Sequence, residues 1–491
     1  MRGVTRTIPR LFRRAVEGAA DRTWLLADHR EWTFGRALEH VERGASALRD
    51  RGIGTGDRVL VTARNTPDYV FTWLALMEVG AVQVPLNPES TDTELKGFID
   101  QVDPAFVVDD GNVAALFEAP SDGRGPVDVD ETDVAVMIPT SGTTGRSKLV
   151  MQTHLAYVMA GEGFPFWLGL TEDDRLMTSL PMFHLNAPAY STLGSVAAHA
   201  SLVLLPGFSA TTFLDHARYY GVTQFNAIGA MVEILMRQPP RPDDADNPVR
   251  ICYTGPSPSR QRQLEIEARF GWEVICGYAL SETPYGLVWQ RGTRPYGTLG
   301  SPRQHPELGH VNDARVIDDD GVEVGPRAEG ELQLRNPAIM RGYYQMPEET
   351  AAVIVDGWLH TGDLVHVNED GTYTFLSRKK EVIRRRGENL SPAEVEEALE
   401  RHPDVVEAAV VAVPSELSED EVKAFVVGAG DTPVDVADLH AFAAEHLAPY
   451  KVPRFIEVVP DLPHTATGRI AKHQLPRDRT DAETDMEPGP T

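Results

Sequence analysis

Val134-Ala135-Val136-Met137-Ile138-Pro139-Thr140-Ser141-Gly142-Thr143-Thr144-Gly145-Arg146-Ser147-Lys148 joins an apolar run to a loop crowded with hydroxyls, glycines and cations. The run 134–138 predicts a buried strand. The loop suits an anion: glycines let backbone N–H groups turn toward it, hydroxyls donate hydrogen bonds, and Arg146 and Lys148 supply charge. A polyphosphate is the anion such a loop would take. It is not a P-loop, because Gly142 and Gly145 stand too close and no Gly-Lys-Ser/Thr follows at the required spacing. On composition alone the same residues read equally well as a surface Ser/Thr/Gly loop.

Outward from this strand, strands and helices alternate. Residues 8–50 read as two helices around a short strand. A strand at 58–61, a helix at 69–79, a strand at 81–86, a polar helix near 92–101 and a strand at 105–108 follow, and after Lys148 a strand leads to His154 and a further helix. That rhythm predicts a layered α/β fold with parallel strands. Gly52-Ile53-Gly54-Thr55-Gly56-Asp57 looks like half a dinucleotide fingerprint, but it precedes a strand instead of following one and reads as a turn. Residues 293–376 change to short β-like runs between Gly, Pro and Asp, predicting a barrel-like or meander subdomain. The densely charged stretch 377–389 marks a boundary. Beyond it, Ser391-Pro392-Ala393-Glu394 predicts a capping box opening a helix, with two strands and another helix behind. The expected organisation is a large N-terminal domain, 1–379, a small α+β domain, 380–478, and a disordered acidic tail, 479–491.

With 491 residues the chain is too long for one ordinary core. Its formal net charge of −27 argues against a nucleic-acid surface and against an anionic membrane, while leaving room for a local basic pocket. Cys252 and Cys276 have neither CxxC spacing nor a His cluster beside them, so no zinc site or disulfide framework is expected and a reducing cytoplasm fits best. Met1-Arg2-Gly3-Val4-Thr5-Arg6 lacks the apolar core of a signal peptide, and no run approaches the roughly 18 apolar residues of a spanning helix.

Five stretches stand in a recognisable order: the loop 140–148, Gly277-Tyr278-Ala279-Leu280-Ser281-Glu282-Thr283, Gly357-Trp358-Leu359-His360-Thr361-Gly362-Asp363, the run 378–389, and Thr467-Gly468-Arg469-Ile470-Ala471-Lys472. Together they resemble the adenylate-forming superfamily of acyl-CoA synthetases, peptide-synthetase adenylation domains and luciferases, over nearly the whole chain. Phe183-His184-Leu185-Asn186, Ile234-Leu235-Met236-Arg237-Gln238-Pro239-Pro240 and Gly387-Glu388-Asn389 narrow the resemblance to acyl-CoA ligases related to crotonobetaine/carnitine-CoA ligase.

The resemblance implies two steps: a carboxylic acid and ATP give acyl-AMP and pyrophosphate, and a thiol, coenzyme A, then displaces AMP. Lys472 would bridge the two anions, Glu282 would hold Mg²⁺, and Ser281 would contact the α-phosphate. Thr140, Ser141, Gly142, Thr143, Thr144, Gly145 and Lys148 would hold the β- and γ-phosphates. Asp363 and Arg378 would hold the ribose, and Gly255, Pro256, Ser257 and Tyr278 the adenine. A hinge at Lys380 would turn the small domain and bring Gly387, Glu388 and Asn389 to the pantetheine arm. Arg384, Arg385 and Arg386 would meet CoA phosphates or form an ion-paired face. The acyl pocket would involve His184, Asn186, Phe208, Ala227, Gly229, Ala279 and Gly286, with no acidic residue to match a cationic acid. The resemblance leaves open a different acceptor or acid: a carrier-protein pantetheine, an amine, or nitrite. The enzyme is expected to be a monomer or homodimer.

Overall fold

The computed structural model describes residues 5–140, 147–255, 257–290, 292–385, 388–414, 420–430, 433–464 and 470–486, with only the backbone for Lys380, Arg384, Glu388, Asn389 and His473. It is a mixed α/β protein. The chain falls into two compact units: Met1–Ala314 with Gln333–His360 and Gly371–Tyr373, and Arg315–Leu332 with Thr361–Asp370 and Thr374–Thr491.

The larger unit carries two sheets. The nine-stranded one runs Ser301–Pro302, Thr283–Val288, Glu273–Leu280, Ile251–Thr254, Gln224–Asn226, Arg175–Thr178, Ser201–Leu204, Thr23–Ala27, Arg30–Thr33. From Glu273–Leu280 to Thr23–Ala27 every pairing is parallel, and antiparallel strands close both edges. The six-stranded one runs Gly342–Tyr343, Lys148–Thr153, Val134–Thr140, Val82–Pro85, Arg58–Val61, Phe106–Val108. The 134–138 run is thus a central strand, with Ala135 to Ile138 buried. Helix Pro67–Glu78 is buried nearly all round, as its largely apolar sequence requires. Thr66 caps it by accepting a hydrogen bond from Tyr69 N–H.

One local expectation changes in this unit. The single strand expected within 8–50 is a hairpin, Thr23–Ala27 with Arg30–Thr33. Asp28 and His29 turn it with φ of 50° and 59°, a two-residue loop built without the Asn-Gly signal that usually announces one. After the strand Arg175–Thr178, residues Ala187–Thr192 form a π-helix that runs directly into helix Leu193–Ala198.

A third sheet of five strands, Asp313–Ile317, Glu329–Arg335, Trp358–Val367, Ile354–Val355 and Tyr373–Arg378, contributes residues to both units. Short β-like runs are expected over 293–376, and these strands span 313–378.

In the smaller unit a four-stranded sheet, Val405–Pro414, Asp420–Gly428, Phe455–Val459, Thr484–Asp485, packs with helices Pro392–Glu400 and Val436–His446. Alternation decides which face each side chain serves. Ala408 and Val410 with Val422, Ala424 and Val426 enter one core, and Ala409, Val411 and Val413 with Phe425 enter the other. Both faces of the central strands are buried, so Ala408–Val413 reads as a continuous apolar run.

Two readings of this unit are corrected. The capping box at Ser391 does not form: its hydroxyl donates to Leu376 O, and Glu394 pairs with Lys451. A capping box does stand at Thr91 and Glu94. Within the tail expected to be disordered, Thr484–Asp485 is a strand antiparallel to Phe455–Val459. The buried Lys423 ammonium holds it, 2.8 Å from Glu457 and 2.7 Å from Glu483. Burial of that ammonium makes its two carboxylates obligatory. Residues 487–491 lie outside the described residues.

Candidate active site

Each unit carries its own group of candidate residues. In the larger unit they collect at the carboxyl ends of the parallel strands, where open α/β sheets place ligands. Gly255 follows Ile251–Thr254, Ala227 and Gly229 follow Gln224–Asn226, His184 and Asn186 lie beyond Arg175–Thr178, and Tyr278 and Ala279 are on the extension of Glu273–Leu280. Tight backbone approach sets this corner. A Cβ on Gly255 would stand 2.6 Å from Gly277 O, and one on Gly286 would stand 2.2 Å from Tyr278 O. Glycine is needed at both.

Glu282 sits in the turn between Glu273–Leu280 and Thr283–Val288. Its Oε1 accepts from the Tyr343 hydroxyl at 2.8 Å, and its backbone O accepts from Met340 N–H at 2.7 Å. The other face of the Tyr343 contact is Lys148, whose Nζ stands 4.7 Å from the ring centroid. Lys148, Tyr343 and Glu282 thus form one contiguous group. Ser281 is pinned beside it, its backbone O accepting from the buried Gln152 amide at 2.6 Å. Thr140 pairs with Lys148 across the strands that open the loop, and its hydroxyl donates to Lys148 O at 3.3 Å. Ser141, Gly142, Thr143, Thr144, Gly145 and Pro256 lie outside the described residues. Ser257 hydrogen-bonds toward Cys276, whose thiol burial pushes up to about 12.

The expected acyl-pocket set contains a polar relay absent from the sequence reading. The buried Gln224 amide donates to Asn226 Oδ1 at 2.7 Å, and Asn226 donates to Asn186 Oδ1 at 2.6 Å. His184 packs at 4.4 Å between ring centroids on Phe183, and Phe208 packs on Phe213. Behind Gly286 lies Arg303, fully buried, donating to Tyr190 Oη and Pro284 O at 2.6 Å each and to the Tyr253 hydroxyl. Among the described residues no carboxylate pairs with it. Tyrosine hydroxyls, carbonyls and the faces of Trp167 and Tyr190 solvate the cation instead.

In the smaller unit Asp363 is fully buried, with Arg378 Nε 2.7 Å from its Oδ1. Arg378 also donates to Thr361 O at 3.3 Å, so both ribose candidates are held as one ion pair. Lys472 opens a short 3₁₀ turn, and its ammonium lies 2.6 Å from Glu396 Oε1 and 3.9 Å from Glu381 Oε2. Lys380 lies in the turn Lys379–Glu381. Glu388 and Asn389 lie on a strand paired with Ile383–Arg385, while Gly387 falls outside the described residues. Arg385 takes the ion-paired alternative: it is buried, 2.6 Å from Glu421, and donates to Val452 O.

Residues 12–344 match the AMP-binding enzyme family, and residues 394–469 match the AMP-binding enzyme C-terminal domain. The chain belongs to the AMP-binding enzyme family. Its place in the adenylate-forming superfamily, expected from the five motifs, follows. The chain is 29% identical over 489 residues to a crotonobetaine/carnitine–CoA ligase of Salmonella typhimurium, covering 91% of this chain and 93% of the relative. It is similar to ATP-bound MatB from Rhodopseudomonas palustris, with a TM-score of 0.87, 26% identity, and coverage of 96% and 98%. It is also similar to the AMP complex of o-succinylbenzoate coenzyme A synthetase from Bacillus subtilis, with a TM-score of 0.86, 25% identity, and coverage of 95% and 98%.

Among the described residues no group of three or more His, Cys, Asp or Glu could hold a metal ion by itself. An AMP-binding enzyme does not need one for Mg²⁺, which takes one or two carboxylates together with substrate phosphates. Glu282 fits that use, a single carboxylate fixed through one oxygen by Tyr343. No helix among the described residues is long and apolar enough to cross a membrane.

Sequence reasoning missed Tyr343, Gln152, Arg303, the Gln224–Asn226–Asn186 relay and Glu396. Each acts through a partner remote in the chain, and no local pattern announces such a pairing.

Proposed function

We propose that this chain is an ATP-dependent acid–thiol ligase that forms an acyl-coenzyme A through an acyl-adenylate. The observation that carries the reading is the full set of charged side chains, Lys148, Glu282, Asp363, Arg378 and Lys472, on a chain that matches the AMP-binding enzyme family in both its large and its small part.

In the first step a carboxylate oxygen of the acid attacks the α-phosphorus of ATP, the bond to the β-phosphate oxygen breaks, and pyrophosphate leaves. Two anions must approach each other, and the Lys472 ammonium offsets their repulsion most at the transition state, where charge concentrates between them. The loop 140–148 holds the β- and γ-phosphates, with Lys148 fixed by the Tyr343 ring. Ser281 contacts the α-phosphate. Asp363 accepts from the ribose hydroxyls with Arg378 beside it, and Tyr278 with Gly255, Pro256 and Ser257 brackets the adenine. Glu282 would hold Mg²⁺, which would neutralise phosphate charge.

In the second step the CoA sulfur attacks the acyl carbonyl carbon and AMP leaves with the bonding pair. The small domain turns at Lys380, which withdraws Lys472 and presents Gly387, Glu388 and Asn389 to the pantetheine arm. The acid is aromatic or modestly aliphatic. None of His184, Asn186, Phe208, Ala227, Gly229, Ala279 and Gly286 is acidic, so nothing in the set matches a cationic acid. The enzyme works in the cytoplasm as a monomer or homodimer. Incubation with ATP, Mg²⁺, CoA and a carboxylic-acid panel yields thioester and pyrophosphate in equal amounts. Accumulation of acyl-AMP that CoA never discharges, while a carrier-protein pantetheine does, would replace this reading.

A further inference from the structure

The contact that holds Lys472 inside its own domain joins two elements far apart in the chain. Its ammonium lies 2.6 Å from Glu396 Oε1. That same oxygen accepts from Val410 N–H at 2.6 Å. Glu396 belongs to helix Pro392–Glu400 and Val410 to strand Val405–Pro414, and both contribute to one core of the small domain. The lysine is held at its other end too. Ala471 is buried with its N–H on Pro463 O, and Leu475 N–H closes the turn on Lys472 O. Backbone and side-chain tip are therefore both fixed to rigid elements.

We infer that Glu396 is the positioning residue for Lys472: its carboxylate takes one of the three ammonium donors and thereby aims the other two at the two anions of the adenylation step. This rests on the proposed role of Lys472. An unanchored lysine has a flexible four-carbon stem and loses much rotamer freedom on engaging its targets. Glu396 removes much of that cost in advance, as preorganisation requires. Glu381 Oε2 also lies 3.9 Å from the ammonium. Burial pushes the Glu396 carboxyl up, and the Lys472 ammonium beside it opposes that rise and favours the ionised pair.

The test compares Glu396→Gln, Glu396→Ala and Glu396→Asp with Lys472→Ala. Two half-reactions are followed separately: pyrophosphate release from ATP and an accepted acid, and thioester formation from chemically prepared acyl-adenylate and CoA. Glu396→Ala and Glu396→Gln are expected to slow the first half-reaction about 10- to 100-fold in kcat, the cost of a misplaced catalytic group. KM for ATP should stay within about twofold, because nucleotide contacts are untouched. The second half-reaction should proceed at the parental rate, and Glu396→Asp should restore part of the first. In a Lys472→Ala background Glu396→Ala should cost nothing further, since its partner is gone.

Equal loss in both half-reactions, or a loss that persists without Lys472, would mean that Glu396 supports the fold. Faster adenylation in Glu396→Gln would mean that it sequesters the lysine. Either outcome overturns the inference while leaving the ligase reading intact. Normal adenylation by Lys472→Ala alone would overturn the role of Lys472 first, and this inference with it.

Discussion

Replacing Glu162 with Gln tests how a buried ionic staple holds the N-terminus of the large unit. Glu162 lies in helix His154–Leu168, its side chain 8% exposed. Arg6 Nε stands 2.7 Å from its Oε2 and Arg14 2.8 Å from its Oε1. His305 Nε2 lies 3.1 Å from Oε2. The N–H groups of Glu307 and Leu308 both donate to His305 Nδ1, which leaves its Nε2–H to donate to Glu162. Burial alone would raise the Glu162 carboxyl, but the hydrogen bonds from His305, Arg6 and Arg14 outweigh it and hold it at about 2, against an ordinary 4.5. At about 1.4 kcal/mol per pH unit, that displacement corresponds to about 3 kcal/mol of native-state stability at pH 7.

The sign follows from a folded value below the unfolded one. The stabilisation is complete above about pH 5 and fades as pH falls toward 2, with about 1.4 kcal/mol gone by pH 3.5. Glu162→Gln keeps the shape and removes the charge, so the variant should trail the parent by about 3 kcal/mol at pH 7 and by about half that at pH 3.5. The chain supplies a selective probe. Its seven tryptophans, Trp24, Trp32, Trp73, Trp167, Trp272, Trp289 and Trp358, all fall in the larger unit, and the Trp167 indole donates to Gln304 O beside His305. Urea unfolding followed by tryptophan fluorescence should show a midpoint lowered by up to about 1 M at pH 7. A gap that stays constant from pH 7 to pH 3.5, or no gap at pH 7, would refute the reasoning.

Asp363→Ala should weaken ATP binding about 10- to 100-fold by removing charge-assisted hydrogen bonds to the ribose; calorimetry giving the parental Kd would sink the ribose assignment. Tyr343→Phe deletes the hydroxyl on Glu282 Oε1, and the Mg²⁺ concentration for half-maximal pyrophosphate release should rise about tenfold; an unshifted Mg²⁺ titration would remove Tyr343 from the site. Lys423→Met strands Glu483, whose side chain is 2% exposed, beside Glu457, and should destabilise the small domain by about 3–5 kcal/mol and open residues 480–486 to protease. An unchanged melting profile with no new cleavage would show that the tail is held by something else.

The alternation of strand and helix through residues 58–168 was legible because apolar runs of strand and helix length are separated by turn residues. Between residues 392 and 447 the two helices and the two strands were legible in the same way. What could not be read were pairings that join distant parts of the chain. Ser391 has the right neighbours for a capping box, yet the Leu376 carbonyl takes its hydroxyl. The tail segment is acidic, which resembles disorder until Lys423 is placed beside Glu483. Tyr343 and Glu282, like Glu396 and Lys472, meet only after the sheets have assembled. The hairpin at Asp28-His29 was hidden for a different reason: its turn needs two residues at positive φ and uses neither Asn nor Gly to obtain them.

The π-helix at Ala187–Thr192 has a consequence for length variation in this chain. Its i→i+5 bonding accommodates one residue more than an α-helical turn would. Removing Ala187, Pro188 or Ala189 would let the segment relax to an α-helix, and each residue of an α-helix advances the chain by about 100°. Tyr190, which now reaches Pro284 O and the buried Arg303, would swing to another side. Gly194, seated against Phe164, would swing with it. A substitution here alters one contact, whereas a single deletion re-indexes the whole wall between helix His154–Leu168 and strand Thr283–Val288.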